Sequence, residues 1–196
     1  MRIVYKKYLP SEDIPVYDYV RQRKLVKYYT RETMAAVVAA GELFRGIEIS
    51  PEMPFFYSTG ETEMMDFYKE ACVVYARRNT VFSSARFMED VVPSISPLSQ
   101  FKMMRNMTHC FVSIEYGLKG DNAALMGSVS GLLYSALLSE TEGPVLIGAG
   151  KLHADGCAES GFAEVFPSEL TGHSLLGSPE EAIVFFRNSQ INQPCQ

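Results

Sequence analysis

NMTHCFVSIEYGLKGDNAALMGSVSGLLYSALL, residues 106–138, is the stretch whose reading decides the fold class. With the residues just before it, 101–116 carries Met103, Met104, Met107, Phe111, Val112 and Ile114. That set puts apolar side chains around most of a helix, the pattern of one buried on most sides in a layered interior. Gly117 suits the left-handed position that ends such a helix. Residues 122–126 then predict a short strand and 130–138 an apolar helix. Helix, strand, tight turn, helix is the repeating unit of an α/β layer protein.

The same alternation continues outward. Residues 3–8 predict an opening strand; Leu25, Val26, Met34, Val37, Val38 and Leu43 recur at helical spacing, and 30–40 is rich in good helix formers. Residues 54–59 predict a strand ended by Gly60. Thr62 and Glu63 then open a helix with Met65, Phe67, Tyr68, Ala71, Val74 and Tyr75 on its apolar side. ARFMEDVV (85–92) predicts a short helix before the loop SISPLSQ (94–100). Downstream, 144–147 predicts a strand closed by GAG (148–150), 151–180 an irregular stretch, 181–186 an apolar strand, and SQINQPCQ a polar tail. The expectation is one α/β domain over residues 1–196: a layered α-β-α arrangement with a mixed, mostly parallel sheet covered on both faces. In such sheets the ligand site lies beyond the strand C-terminal ends, which directs attention to the turns STGETE (58–63), MGSVSG (126–131) and IGAGKL (147–152).

Composition narrows the classes. The 196 residues are 47% hydrophobic, 12% aromatic and 21% charged, and a chain of that size buries roughly 70% of its unfolded surface without staples. The longest apolar runs, 34–40 and 131–138, fall far short of the ~20 residues of a membrane span, and the start MRIVYKKYLPSEDIP has no signal-like apolar stretch. A soluble, cytoplasmic protein with no membrane partner is the expectation. Cys72, Cys110, Cys157 and Cys195 are separated by 37, 46 and 37 residues, without the spacing of a metal site, and read as reduced thiols. No metal and no cofactor is expected.

The net charge of −5 hides an asymmetry, for residues 1–46 carry nine Lys/Arg against five Asp/Glu and the remainder nine against eighteen. Arg21, Arg23, Lys24, Lys27 and Arg31 form the densest basic group, with Tyr28 and Tyr29 among them. A sequence pI of about 5.3 argues against a nucleic-acid partner, and a solvated helix face is the plain alternative to a docking surface.

MGSVSG is the most informative turn. A serine at a tight strand-to-helix turn resembles a nucleophile elbow in kind, since the helix N-terminus aims N–H groups and positive dipole at developing negative charge. Ser128 is the candidate nucleophile, with Gly127, Ser130 and Gly131 as candidate ligand-binding positions. The competing reading is that Ser128 or Ser130 simply caps the helix.

Residues 106–138 resemble the heart of the β-ketoacyl carrier-protein synthases, thiolase-like enzymes in which an Asn-Met helix start leads to Gly-Leu-Lys-Gly-Pro, a short strand and the active cysteine. Asn106-Met107 and GLKG at 117–120 carry the likeness. Ser96-Pro97, RKLVKYYTRETMAAVVAAGE (23–42), PFFYSTGETE (54–63), GPVLIGAGK (143–151) and EEAIVFF (180–186) extend it over about residues 20–187. The resemblance implies the N-terminal half of that duplicated scaffold, with two departures. The place of the catalytic cysteine falls on Ser128, after a one-residue deletion, and Asp121 stands where proline is usual. The family's catalytic histidines belong to the other half, and His109, His153 and His173 do not replace them; His153 is the nearest to the presumed crevice.

A serine needs an adjacent base where a thiol does not, so condensation is not expected. The resemblance implies instead a non-condensing accessory or chain-shaping partner in fatty-acid-like or polyketide-like biosynthesis. The alternatives are an acyltransferase or thioester-processing enzyme using Ser128, and a structural thiolase-fold subunit. Its implied partners are a second copy in a homodimer or a full-length ketosynthase, covering helices 101–116 and 130–139, and an acyl carrier protein received at Arg21, Arg23, Lys24 and Lys27.

Overall fold

The computed structural model describes residues 1–60, 65–77, 81–94 and 104–191; for 65–70, 190 and 191 it describes the backbone alone. Five strands form one sheet: β1 (Arg2–Tyr8), β2 (Phe55–Thr59), β3 (Asn122–Leu125), β4 (Val145–Leu152) and β5 (Ala158–Val165). Their spatial order is β1-β5-β4-β2-β3. β2 pairs parallel with both β3 and β4, while β5 lies antiparallel between β4 and β1. Four strands therefore share a direction and β5 alone is reversed, so the mixed, mostly parallel α/β sheet is present.

Helices cover both faces. On one face α1 (Arg31–Leu43) and α3 (Met107–Tyr116) pack with Phe55, Tyr57, Leu146 and Phe162 of the sheet. On the other, α4 (Val129–Leu137) and α5 (Ile183–Ile191) pack over Phe56, Ile147, Ala149, Ala163 and Val165. Alternate residues of each strand feed opposite cores, as a pleated sheet buried on both sides requires. The fifth longer helix, α2 (Met65–Ala76), belongs to a satellite cluster that includes Ala71, Tyr75, Phe87 and Val91.

Helix ends follow the local chemistry. Thr30 caps α1, its side chain accepting from the Thr33 N–H at 3.1 Å. Gly117 closes α3 at φ 70°, a left-handed position that other residues adopt only under strain. Gly120 is required for a different reason: a Cβ there would lie 2.2 Å from the Glu52 carbonyl oxygen, which lets the loop leaving α3 run against residues 51–53.

Several expectations are corrected. GAG is not a turn but the interior of β4. A Cβ on Gly148 would meet the Phe162 ring at 2.7 Å, and one on Gly150 the Tyr57 hydroxyl at 2.1 Å, so these glycines seat aromatic side chains of neighbouring strands. The stretch expected to be irregular contains β5, and 181–186 is not a strand but the approach to α5 and its first turn, with Ala182, Ile183, Phe185 and Phe186 buried at helical spacing. Helicity continues to Ile191, into the expected tail.

α3 is not buried on most sides either. It begins at Met107, the described residues 104–106 before it being non-helical, Ile114 is half exposed, and the buried set includes Thr108, His109 and Glu115. Nor do α3 and α4 present one surface to a partner, because they lie on opposite faces of the sheet. Residues 85–92 are helical as expected, through the successive turns Ser84–Arg86, Phe87–Val91 and Val92–Ser94. The expected helix start at Thr62-Glu63, most of SISPLSQ, Phe101 to Met103 and Cys195 lie outside the described residues.

Candidate functional site

β2, β3 and β4 end on the same side of the sheet, and Ser58, Thr59, Gly127, Ser128 and Lys151 gather there. The Ser58 hydroxyl donates to the Gly127 carbonyl at 3.1 Å and the Thr59 hydroxyl to the Arg105 carbonyl at 3.1 Å, tying the β2 end to the segments before α3 and α4. Ser128 stands at the junction of β3 and α4, where the sequence pattern puts it.

Its conformation is that of a helix cap. Ser128 has φ −78° and ψ 170°, and its Oγ accepts from the Gly131 N–H at 3.3 Å. A nucleophile elbow is a strained turn that thrusts its side chain out. Here neither Gly127 nor Gly131 has a positive φ, and a Cβ on Gly127 would meet open space. Among the described residues no histidine, lysine or carboxylate bonds the Ser128 hydroxyl.

The N–H groups that would receive an oxyanion are also occupied. Val129 N–H donates to the Glu180 carbonyl at 2.7 Å and Ser130 N–H to the Ser178 carbonyl at 3.2 Å, while the Ser130 hydroxyl donates to the Leu176 carbonyl. Ser128 further pairs through a single antiparallel bridge with Glu181, whose carboxylate takes two bonds, 2.6 and 2.8 Å, from the Lys151 ammonium. The candidate ligand positions Gly127, Ser130 and Gly131 are thus engaged within the chain.

Sequence reasoning passed over a second polar centre under α5. The Glu159 side chain is fully buried and accepts from the Arg187 guanidinium at 2.6 Å, from His153 Nε2 at 2.7 Å and from the Tyr5 hydroxyl. Burial alone would raise its pKa, but the hydrogen bonds from Tyr5, Arg187 and His153 outweigh it and hold the carboxyl below its ordinary value. The same burial, with the neighbouring carboxylate, pushes the Tyr5 phenol up to about 12. These four residues come from β1, β5, the β4–β5 connection and α5, and only the register brings them together.

On the opposite face, Glu32 is buried with no cation beside it among the described residues, receiving a hydrogen bond from Tyr57 at 3.1 Å. Burial raises its pKa to about 7, Tyr57 pulling the other way. His109 is buried against Phe55, ring stacked on ring at 4.6 Å, and burial lowers its pKa. His173 Nδ1 accepts from the Leu175 N–H at 3.2 Å.

Arg21, Arg23, Lys24 and Lys27 are exposed, on and beside the 3-10 turn Arg23–Tyr28. None pairs with a carboxylate among the described residues. Arg31 leaves the group, since its guanidinium donates to the carbonyls of Leu9, Glu12 and Gly156. The patch flanks the α1/α3 layer, where the Arg21 N–H donates to the buried Glu115 carboxylate at 2.8 Å, whereas α4 lies on the other layer. The structure does not bring the patch and the Ser128 turn together.

Among the described residues no group of three or more His, Cys, Asp or Glu side chains is placed to hold a metal, and no helix is long and apolar enough to cross a membrane. Cys72, Cys110 and Cys157 are free thiols. Neither the protein-family models nor the curated proteins compared with this chain match it.

Proposed function

We propose that this chain is a ketosynthase-like protein without condensing activity, acting as an accessory or chain-shaping partner in fatty-acid-like or polyketide-like biosynthesis. Support comes from the five-stranded, mostly parallel sheet with helices on both faces, an architecture compatible with one lobe of a thiolase-type scaffold. The observation that carries the non-condensing reading is at Ser128: its hydroxyl caps its own helix, and the Val129 and Ser130 N–H groups are spent on main-chain carbonyls. A hydroxyl without a base, at a helix end without free donors, has neither the activation nor the oxyanion stabilisation that acyl transfer needs.

The proposed partners are a second copy or a full-length synthase, and an acyl carrier protein received at the exposed basic patch by charge complementarity. A carrier docked there sits on the layer away from Ser128, which suits a docking role better than a catalytic one.

Incubation with an acyl-pantetheine thioester followed by intact-mass measurement tests the reading. No adduct is expected on the wild-type chain, and an adduct that disappears in Ser128→Ala would establish the acyltransferase alternative. Reversing Arg21, Arg23, Lys24 and Lys27 to glutamate should weaken carrier-protein binding by at least about tenfold at low salt; unchanged binding removes the docking role.

A further inference from the structure

We infer that Glu115 is a positioning residue for the basic patch: from beneath, its carboxylate closes residues 21–29 into a loop that presents Arg21, Arg23, Lys24 and Lys27 as one pre-set face for an acidic protein surface. The inference rests on the docking role proposed above for those side chains. Glu115 Oε2 accepts from the Arg21 N–H at 2.8 Å and Oε1 from the Tyr29 hydroxyl at 3.0 Å, so one carboxylate holds both ends of the loop. Glu115 is 1% exposed. Burying a carboxylate is costly unless it is well bonded, and both of these bonds shape residues 21–29.

The loop is not held by its own surface. Lys24 and Lys27 stand three residues apart in the 3-10 turn Arg23–Tyr28, where side chains at that spacing eclipse and like charges repel. No carboxylate pairs with any of the patch cations among the described residues. What fixes the loop lies underneath. Val26 and Tyr29 are buried, the Tyr29 ring packs against Phe111 of α3 at 4.7 Å, and Tyr116, next to Glu115, donates to the Val37 carbonyl of α1 at 2.7 Å. The cations therefore stand on the α1/α3 layer. A merely solvated face gains nothing from crowding unpaired cations over a buried clamp, whereas a face ordered in advance loses less freedom when an acidic partner binds. With a net charge of −5 the chain as a whole repels such a partner, so the presentation of this patch decides whether the two meet.

Binding kinetics of the full chain on an immobilised acyl carrier protein test the inference by the sign of an effect. Glu115→Met takes a negative charge from beneath the patch, so charge complementarity alone would tighten binding to an acidic partner. Loss of the clamp should instead weaken it, with koff about fivefold faster and the salt dependence of kon nearly unchanged. Glu115→Gln carries the same charge as Glu115→Met but keeps an acceptor for the Arg21 N–H, and should recover part of the loss. Tyr29→Phe removes one of the two bonds with no change of charge and should also speed dissociation. Amide exchange at Arg21 should accelerate in Glu115→Met while Leu146 and Phe162 keep wild-type rates, the mark of a local change; if those two accelerate as well, Tyr29→Phe and Glu115→Gln carry the comparison. Tighter or unchanged binding in the clamp variants, with binding still lost on reversing the four cations, removes the role of Glu115 and leaves the docking role standing. Unchanged binding on reversing the cations removes the docking role itself. Equal affinity for duplex DNA would make the patch a general polyanion face and overturn the assignment to an acidic protein.

Discussion

At the scale of single residues, Ser128 separates two accounts by its side chain alone. As a cap it requires only an acceptor, so Ser128→Ala should lower stability by about 1 kcal/mol and Ser128→Asp should restore most of it, as read by chemical denaturation. A nucleophile would instead lose its acyl-transfer activity in both variants, whatever their stability. Glu32 gives a second prediction. Its carboxyl holds a proton in the folded chain up to about pH 7 but loses it near 4.5 when unfolded, so unfolding releases a proton between those values. Glu32's contribution to stability is then fully present below pH 4.5 and is lost as pH rises through 7, by an amount of order 3 kcal/mol. Glu32→Gln should flatten that slope, seen by comparing urea midpoints at pH 5 and pH 8. Ser128 was legible as a junction residue because strand, small residues and apolar helix are adjacent in the chain. Glu32 was not, since nothing near it in sequence shows that β4 and Tyr57 close over it.

At the scale of elements, local pattern found β1, α1, β2, β3 and α4; in α1, β2 and α4 the apolar residues are the buried ones. It missed β5 because that strand is built to fit its neighbours. Gly161 leaves room for Phe186 of α5, and Glu159 is buried by its three donors, so the alternation of apolar residues never appears. It misread 181–186 because a run of β-branched and aromatic residues suits a strand, while burial of 182, 183, 185 and 186 on one side makes it a helix. A Cβ on Gly161 would lie 2.4 Å from both Cβ and Cγ of Phe186, so Gly161→Ala should cost about 1 to 3 kcal/mol by lifting α5 from the sheet. Arg187→Met should cost a similar amount, because it strands part of the Glu159 carboxylate without its cation. Thermal melts of the two variants check both.

At the scale of the molecule, the chain covers both faces of its sheet with its own helices, so a partner that extends the sheet must join at an edge. The two edges differ in charge. β1 carries Arg2, Lys6 and Lys7, which discourage strand addition, whereas β3 offers Asn122, Ala123, Ala124 and Leu125 with no charge. If a second copy is the partner, it joins at β3. Ala124→Lys should convert a dimer to a monomer in sedimentation velocity without altering the melt of the fold, and a dimer indifferent to that change places its contact elsewhere. The position of β5 has one more effect, on how the chain comes into being. Arg2 pairs with Glu164 and Tyr8 with Ala158, so β1 has no neighbouring strand until residues far downstream of it have been made. Val4 can pack on the α1 layer early, but the strand pairing of Ile3, Val4 and Tyr5 waits for β5, a long-range closure of the kind that slows folding.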